Sequence, residues 1–438
     1  MSKSRQPESA NVRRIVEDGL CTGCGTCASM CPLGAIHLRI DKTEQSYFPT
    51  IDEAKCNNCS LCVRICPGHE VDFRQLNLEI FGKNPSANIT ELLIGNYRNC
   101  YTGYSTDSKI RYDSSSGGMI TQLLVLALEE GIIDGALVTK MDKERPLEPH
   151  PFIARTREEI LEASRSKYCP VPANVALREI MRKDGKYAVV GLPCHIHGLR
   201  KVAQLNGKLK ERIVLHLGLF CTRNDSFWMT RYLLYRLGVE ANDIAKIDYR
   251  GKGWPGTLSI KLRSGNEIDW PLNGWTGPHN FCVFTLSRCL LCCDGTAELA
   301  DVSFGDAWLP EFREDRVGRS IIVSRSLIGE RFLQRAVSCD KVELKELSAG
   351  KVIKSQGMLR FKKNSVQVRF LIFRLRGRKI PVYTSKLLKP NFIDCSRSIA
   401  VFLNQYFLSR RRFWGNIESL EGLQNSLEKI YTCALGKK

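Results

Sequence analysis

The chain has 438 residues, 43% hydrophobic and 25% charged, the balance of a globular protein too long for one small core. Its strongest apolar runs, residues 120–128 and 213–220, fall short of the roughly 18 residues a membrane span needs, and residues 1–14 lack the apolar stretch of a secretory signal, so a cytoplasmic location is expected. The formal charge is +19, and residues 351–438 hold 19 Lys and Arg against 4 Asp and Glu, which calls for an acidic partner: a protein or coenzyme, an anionic membrane surface, or nucleic acid.

The first feature in chain order is a repeat. "CTGCGTCASMCP" (21–32) and "CNNCSLCVRICP" (56–67) both read C-x2-C-x2-C-x3-C-P. Soft thiolates suit zinc and iron–sulfur clusters alike, but structural zinc uses C-x2-C pairs separated by a longer loop. Three cysteines at threes, then a fourth before proline, is the bacterial ferredoxin pattern, in which the fourth ligand crosses to the other cluster. Cys21, Cys24, Cys27 and Cys66 are therefore expected to hold one [4Fe–4S] centre. Cys56, Cys59, Cys62 and Cys31 are expected to hold the other. This ferredoxin-like domain should end near residue 84.

From about 113 to 310 helix and strand signals alternate, as in an α/β domain with a mostly parallel sheet. "SSSGGMITQLLVLALEEG" (114–131) predicts a capped helix. Strands are predicted in "IIDGALVTKM", "YAVVGLP" (187–193) and "RIVLHLGLFC" (212–221), and helices over 173–186 and in "CHIHGLRKVAQL". Cys194 falls where a strand gives way to a helix, and Cys221 at the end of the next strand, the side of a parallel sheet where ligands gather. Cys289 and Cys292 form a further C-x2-C pair. These four could bind a third cluster, with Cys293 a substitute for Cys292, although each alone also reads as a small buried core residue. Cys100, Cys169, Cys282, Cys339, Cys395 and Cys433 show no ligand spacing and read as packing. Ser114, Ser115, Ser116, Gly117 and Gly118 read either as a helix N-cap or as a phosphate-binding turn.

Taken together, "SSSGGMITQLLVLALEEGIIDGALV", "RSKYCPV" (165–171), "VVGLPCHIHGLRK" (189–201), "GLFC" (218–221), "YRGKGWPG" (249–256) and "CLLCCDGTAELADVSFGDAW" resemble the beta subunits of coenzyme F420-dependent hydrogenases and dehydrogenases. The resemblance covers about residues 86–380. It implies an FAD-binding α/β domain beside a [4Fe–4S] cluster held by Cys194, Cys221, Cys289 and Cys292. FAD would then lie near Ser115, Ser116, Gly117, Gly118, Lys167, Tyr168, Pro193 and Asp306. The position after Cys194, often glutamine in the family, is His195, which would hydrogen-bond the flavin or relay a proton.

The fold expected is thus α+β and α/β: a ferredoxin-like domain over 1–84, an FAD and cluster domain over 85–325, and a basic, mainly helical region over 326–438. The activity implied is exchange of hydride between coenzyme F420 and FAD, with single electrons passed through three [4Fe–4S] clusters to or from a redox partner such as a ferredoxin or a hydrogenase or dehydrogenase subunit. Two alternatives are a ferredoxin-dependent reductase of another organic substrate and a non-catalytic electron-transfer subunit. The basic segments "VRFLIFRLRGRK" (368–379) and "SRRRFW" (409–414) suggest nucleic acid by composition. No recognised nucleic-acid module accompanies them, so an amphipathic helix with a solvated basic face, or one docked on a partner or membrane surface, is expected instead.

Overall fold

The computed structural model describes residues 11–417. Its centre is an eight-stranded sheet made of β1 (Asn99–Ser105), β2 (Gly135–Met141), β3 (Pro149–Ala154), β4 (Tyr187–Gly191), β5 (Ile213–Leu219), β6 (Val302–Asp306), β7 (Ser320–Ser324) and β8 (Val342–Glu346), in the spatial order β8-β1-β7-β6-β5-β4-β2-β3. The inner run β2-β4-β5-β6 is parallel. Both flanks are antiparallel, so the sheet is mixed rather than mostly parallel. The reason is local: β3 returns beside β2 as a hairpin, and β7 returns beside β6, without the crossover helix that parallel pairing requires.

Strands β4, β5 and β7 are apolar along nearly their whole length because both faces of the sheet are covered. Helices Met119–Glu129 and Leu327–Ser338 bury Leu123, Leu126, Phe332 and Leu333 on one face. On the other, Ile180, Ile196 and Leu199 of helices Leu177–Arg182 and Pro193–Leu205 pack with Ile65, Val71 and Phe73 of the N-terminal unit. That unit is small. It has one antiparallel hairpin, Ile36–Ile40 with Tyr47–Ile51, and the short helices Arg13–Glu17, Thr26–Met30 and Leu61–Arg64. The region after 326 is largely helical, yet it is woven into the rest. Strand β8 edges the main sheet, and Val382–Tyr383 pairs in parallel with Glu70–Val71.

Candidate redox site

The repeat in the sequence is also a repeat in the backbone. Gly23 and Gly25 have φ of +67° and +86°, and the matching positions in the second copy, Asn58 and Ser60, have +55° and +60°. These left-handed residues turn the chain between successive cysteines, a conformation that bulky or β-branched side chains resist. Cys31, Cys56, Cys59 and Cys62 line one cavity together with Ile51 and Asn58. Cys66 crosses over. It lies within electrostatic reach of Cys21, and Cys27 in turn faces Cys21, Cys24 and Cys66. Burial pushes the Cys66 thiol up to about 11, and Cys24 adds to the shift. Among the described residues, no three His, Cys, Asp or Glu side chains converge as a single bound metal ion requires.

A third quartet assembles at the carboxyl ends of the parallel strands. Pro193 opens a helix just after β4 and carries Cys194 into its first turn. Cys221 follows β5, with its N–H donating to the Gly295 carbonyl at 2.9 Å. Cys289 rides on the short turn Ser287–Leu291, and Cys292 follows it. Burial pushes the Cys194 thiol well up, and so does the charge of Cys24, Cys221, Cys289 and Cys292; burial here outweighs the help a helix N-terminus gives a thiolate. Cys293 turns away into the apolar cluster with Ile65 and Leu199, facing Lys363 and Glu298 instead. Two buried cations border the quartet. Lys362 is 1% exposed, and its charge reaches Cys292, Cys221 and Cys289. Arg288 donates to the carbonyls of Leu20 and Gly68, both at 3.1 Å, and to the Tyr383 hydroxyl at 2.7 Å.

The residues that the resemblance gives to FAD also come together. Segment 165–171 ties them. Ser166 N–H donates to the Ser115 hydroxyl at 2.7 Å, Tyr168 sits beside Arg250, and the Val171 carbonyl meets His195 Nε2 at 3.0 Å. Ser116 donates to the Arg319 carbonyl, and Gly117 N–H to the Ser320 hydroxyl. Gly117 has no room for a Cβ, which would meet the Gly103 carbonyl at 2.5 Å. Gly118, with φ +73°, caps the following helix. Asp306 is paired at 2.8 Å with Arg250, whose guanidinium is buried. Lys167 is turned onto the carbonyls of Ala163, Ser164 and Arg165, and burial pulls its pKa down to about 7.

Family models match this region, and all four cysteines of the quartet fall within one of them. Two are described as "Coenzyme F420 hydrogenase/dehydrogenase, beta subunit", one for the N-terminal part over 100–178 and one for the C-terminal part over 184–350. A third, "4Fe-4S dicluster domain", matches 20–69. The coenzyme F420 hydrogenase subunit beta of Methanothermobacter thermautotrophicus is 30% identical over 263 residues, 58% of this chain and 87% of that one. The chain belongs to the coenzyme F420 hydrogenase/dehydrogenase beta-subunit family. The coenzyme F420-dependent sulfite reductase of Methanocaldococcus jannaschii is 28% identical over 371 residues, 80% of this chain but 51% of its own length. In the F420-reducing [NiFe] hydrogenase complex of Methanosarcina barkeri, one chain superposes with a TM-score of 0.51 at 26% identity, covering 68% of this chain and 98% of that one. As a member of this family with a 4Fe–4S domain, the protein is an electron-transfer oxidoreductase.

Within the family site, His195 is spoken for. Its Nδ1 accepts from Leu192 N–H at 3.1 Å, Nε2 donates to the Val171 carbonyl, and burial pulls its pKa down to about 4. The ring is thus neutral, with both nitrogens engaged. His197 is paired with buried Asp294 at 2.8 Å. Four site residues escaped the sequence reading. Arg250 lay inside a quoted motif, but nothing marked its partner. Asn174, whose side-chain amide donates to the His195 carbonyl at 3.0 Å, and Arg288 carry no local signal, and Lys362, past the end of the matched family model, reads in sequence as part of a basic tail. Cys100, Cys169 and Cys282 are buried, Cys339 and Cys395 partly so, and Cys433 lies outside the described residues.

Proposed function

We propose that the chain holds three [4Fe–4S] clusters and one FAD, exchanges hydride between coenzyme F420 and the flavin, and passes single electrons to or from a partner protein. The observation that carries this reading is the position of Cys194, which lies within electrostatic reach of Cys221, Cys289 and Cys292 and also of Cys24. That proximity sets a quartet of the α/β domain near a quartet of the N-terminal unit. Bound FAD supplies the conversion between a two-electron hydride and single electrons, which clusters carry.

The residues present fit these groups. Soft thiolates in fours suit iron–sulfur clusters, and the buried charges of Lys362 and Arg288 suit the anionic charge such clusters bear. Near Tyr168 and Gly318 the buried indole N–H groups of Trp275 and Trp254 have no protein acceptor, as expected where a polar ligand belongs. In this assignment the ligand sets are Cys21, Cys24, Cys27 and Cys66; Cys31, Cys56, Cys59 and Cys62; and Cys194, Cys221, Cys289 and Cys292. Ser115, Ser116, Gly117, Gly118, Lys167, Tyr168, Pro193 and Asp306 surround the flavin. Arg250 holds Asp306 in place and offsets its charge. His195 acts as a positioning residue, since its two hydrogen bonds fix the turn that presents Pro193 and Cys194.

The test is composition. Chain purified without oxygen should carry iron and acid-labile sulfide for three clusters and one FAD per polypeptide; iron without flavin would reduce the reading to an electron-transfer subunit. A second reading, in which this unit feeds electrons to another catalytic polypeptide, draws on the sulfite reductase relative, of which the chain spans 51%.

A further inference from the structure

The C-terminal helices are turned the unusual way round. Helix Phe392–Leu408 packs inward through Asp394, Ser398, Val401 and Leu408, while Phe392, Ile393, Ile399, Leu403, Tyr406 and Phe407 are exposed, Phe392 by 85% and Leu403 by 52%. On the helix beside it, Ser365–Leu375, Leu375 is 78% exposed, whereas Arg369 is fully buried and donates to the carbonyls of Leu290 and Phe361. A surface helix of a globular protein normally shows the reverse pattern. At 17 residues the longer helix presents an apolar stripe about 25 Å long.

The segment that carries this stripe is almost wholly of one sign of charge. Residues 351–417 contain sixteen Lys and Arg and a single acidic residue, Asp394. That aspartate is buried and bonded to Arg360. Arg374, Arg376, Arg378 and Lys379 are exposed at the end of one helix; Arg397 lies on the other, and Arg410, Arg411 and Arg412 follow its end. Arg410 stacks over the Tyr406 ring at 4.4 Å, a cation and an aromatic side by side.

A covering protein would need a large apolar surface and a ring of carboxylates in matching places. An anionic bilayer offers both at once, since its acyl boundary takes Phe, Ile and Leu while its phosphates meet Arg and Lys. Among the described residues no helix is long and apolar enough to cross a membrane, so the contact lies in the plane of the surface. We propose that the outer face of Phe392–Leu408, with Leu371, Leu375 and the flanking arginines, docks on an anionic lipid surface. The matched family model ends at residue 350, before both helices begin.

Vesicle sedimentation of the full chain, purified without oxygen, tests this. Vesicles of phosphatidylglycerol and phosphatidylcholine should bind it at least tenfold more tightly than phosphatidylcholine alone, and high salt should weaken the binding. The double variant Ile399→Glu, Leu403→Glu should abolish binding with its cluster absorption intact, because both side chains already face solvent. Arg397→Gln with Arg410→Gln should weaken binding to the anionic vesicles alone. Absence of binding, or binding that neither pair of variants alters, overturns the proposal. So does a dimer that the glutamate variant dissolves while no vesicle binding exists, since the face then belongs to a second copy of the chain.

Discussion

The buried side-chain amide of Asn174 donates to the Thr26 hydroxyl at 2.8 Å, and the same nitrogen reaches the His195 carbonyl at 3.0 Å. Thr26 touches the Cys24 sulfur at 3.2 Å, and Asn174 N–H donates to the Cys24 carbonyl at 3.0 Å. One residue thus clamps the loop that carries Cys24 to the turn that carries Cys194. Gly198 lets them approach, for a Cβ there would meet the Thr26 hydroxyl at 2.4 Å.

Asn174→Ala should therefore loosen the N-terminal unit from the α/β domain. A buried network that loses its donor costs about 1–3 kcal/mol. The variant should show a lower melting midpoint and faster proteolysis between the two units. A midpoint equal to that of the parent would mean the clamp carries no weight.

The cysteine assignment separates two neighbours. Cys194→Ser should lower the iron content by about one-third, the share of one cluster in three, while Cys293→Ala should leave it unchanged, because Cys293 faces Lys363 and the apolar core. Iron loss from the Cys293 variant but not from Cys292→Ser would exchange their roles.

Lys362 should set the redox level of the third quartet. A cation buried beside Cys221, Cys289 and Cys292 favours the more negative, reduced state of whatever those thiolates hold. Lys362→Met should shift the midpoint potential of one cluster downward in an EPR-monitored titration, with Lys362→Arg restoring most of it. An unchanged potential would show that the charge is screened.

Stability should fall on mild acidification for a reason that can be isolated. His216 is buried against Asp301 at 3.0 Å, and burial, with Arg200 alongside, pulls its pKa to about 4. Unfolded, it takes a proton near pH 6.5. Between those values the unfolded chain holds one more proton than the folded one, so stability drops as pH falls through that window. Despite its burial, Asp301 stays ionised beside Arg200 and His216, its pKa held well below the usual range, and it adds slope only below about pH 5, where the unfolded carboxylate takes up a proton. His216→Asn should flatten the dependence of the melting midpoint between pH 6.5 and 4.5. Parallel slopes in parent and variant would assign the effect elsewhere.

Local features were legible in the sequence, and long-range ones were not. The twin cysteine loops could be read because spacing, turn residues and ligands lie within twelve positions of each other. Helix Met119–Glu129 and strands β2, β4 and β5 were equally visible in their periodicity. The third quartet draws on residues 194 to 292, and only the family motifs joined them. Sheet polarity escaped because the hairpin returns of β3 and β7 leave no mark that separates them from crossovers. The basic tail misled most. Lys362, Lys363 and Arg369 are buried, since a charge in sequence does not announce whether its partner is water or a thiolate, Glu298 or the Leu290 carbonyl. The leucines and aromatics expected beneath a solvated basic face are the groups that lie outside.

The most direct test of the central claim is to add reduced coenzyme F420 to the protein purified without oxygen and follow the flavin absorption. The account predicts rapid bleaching of the flavin, followed by EPR signals of reduced clusters. A flavin that reduced coenzyme F420 leaves oxidised, but that dithionite or reduced ferredoxin bleaches, would contradict it and make the protein a ferredoxin-linked reductase of another substrate.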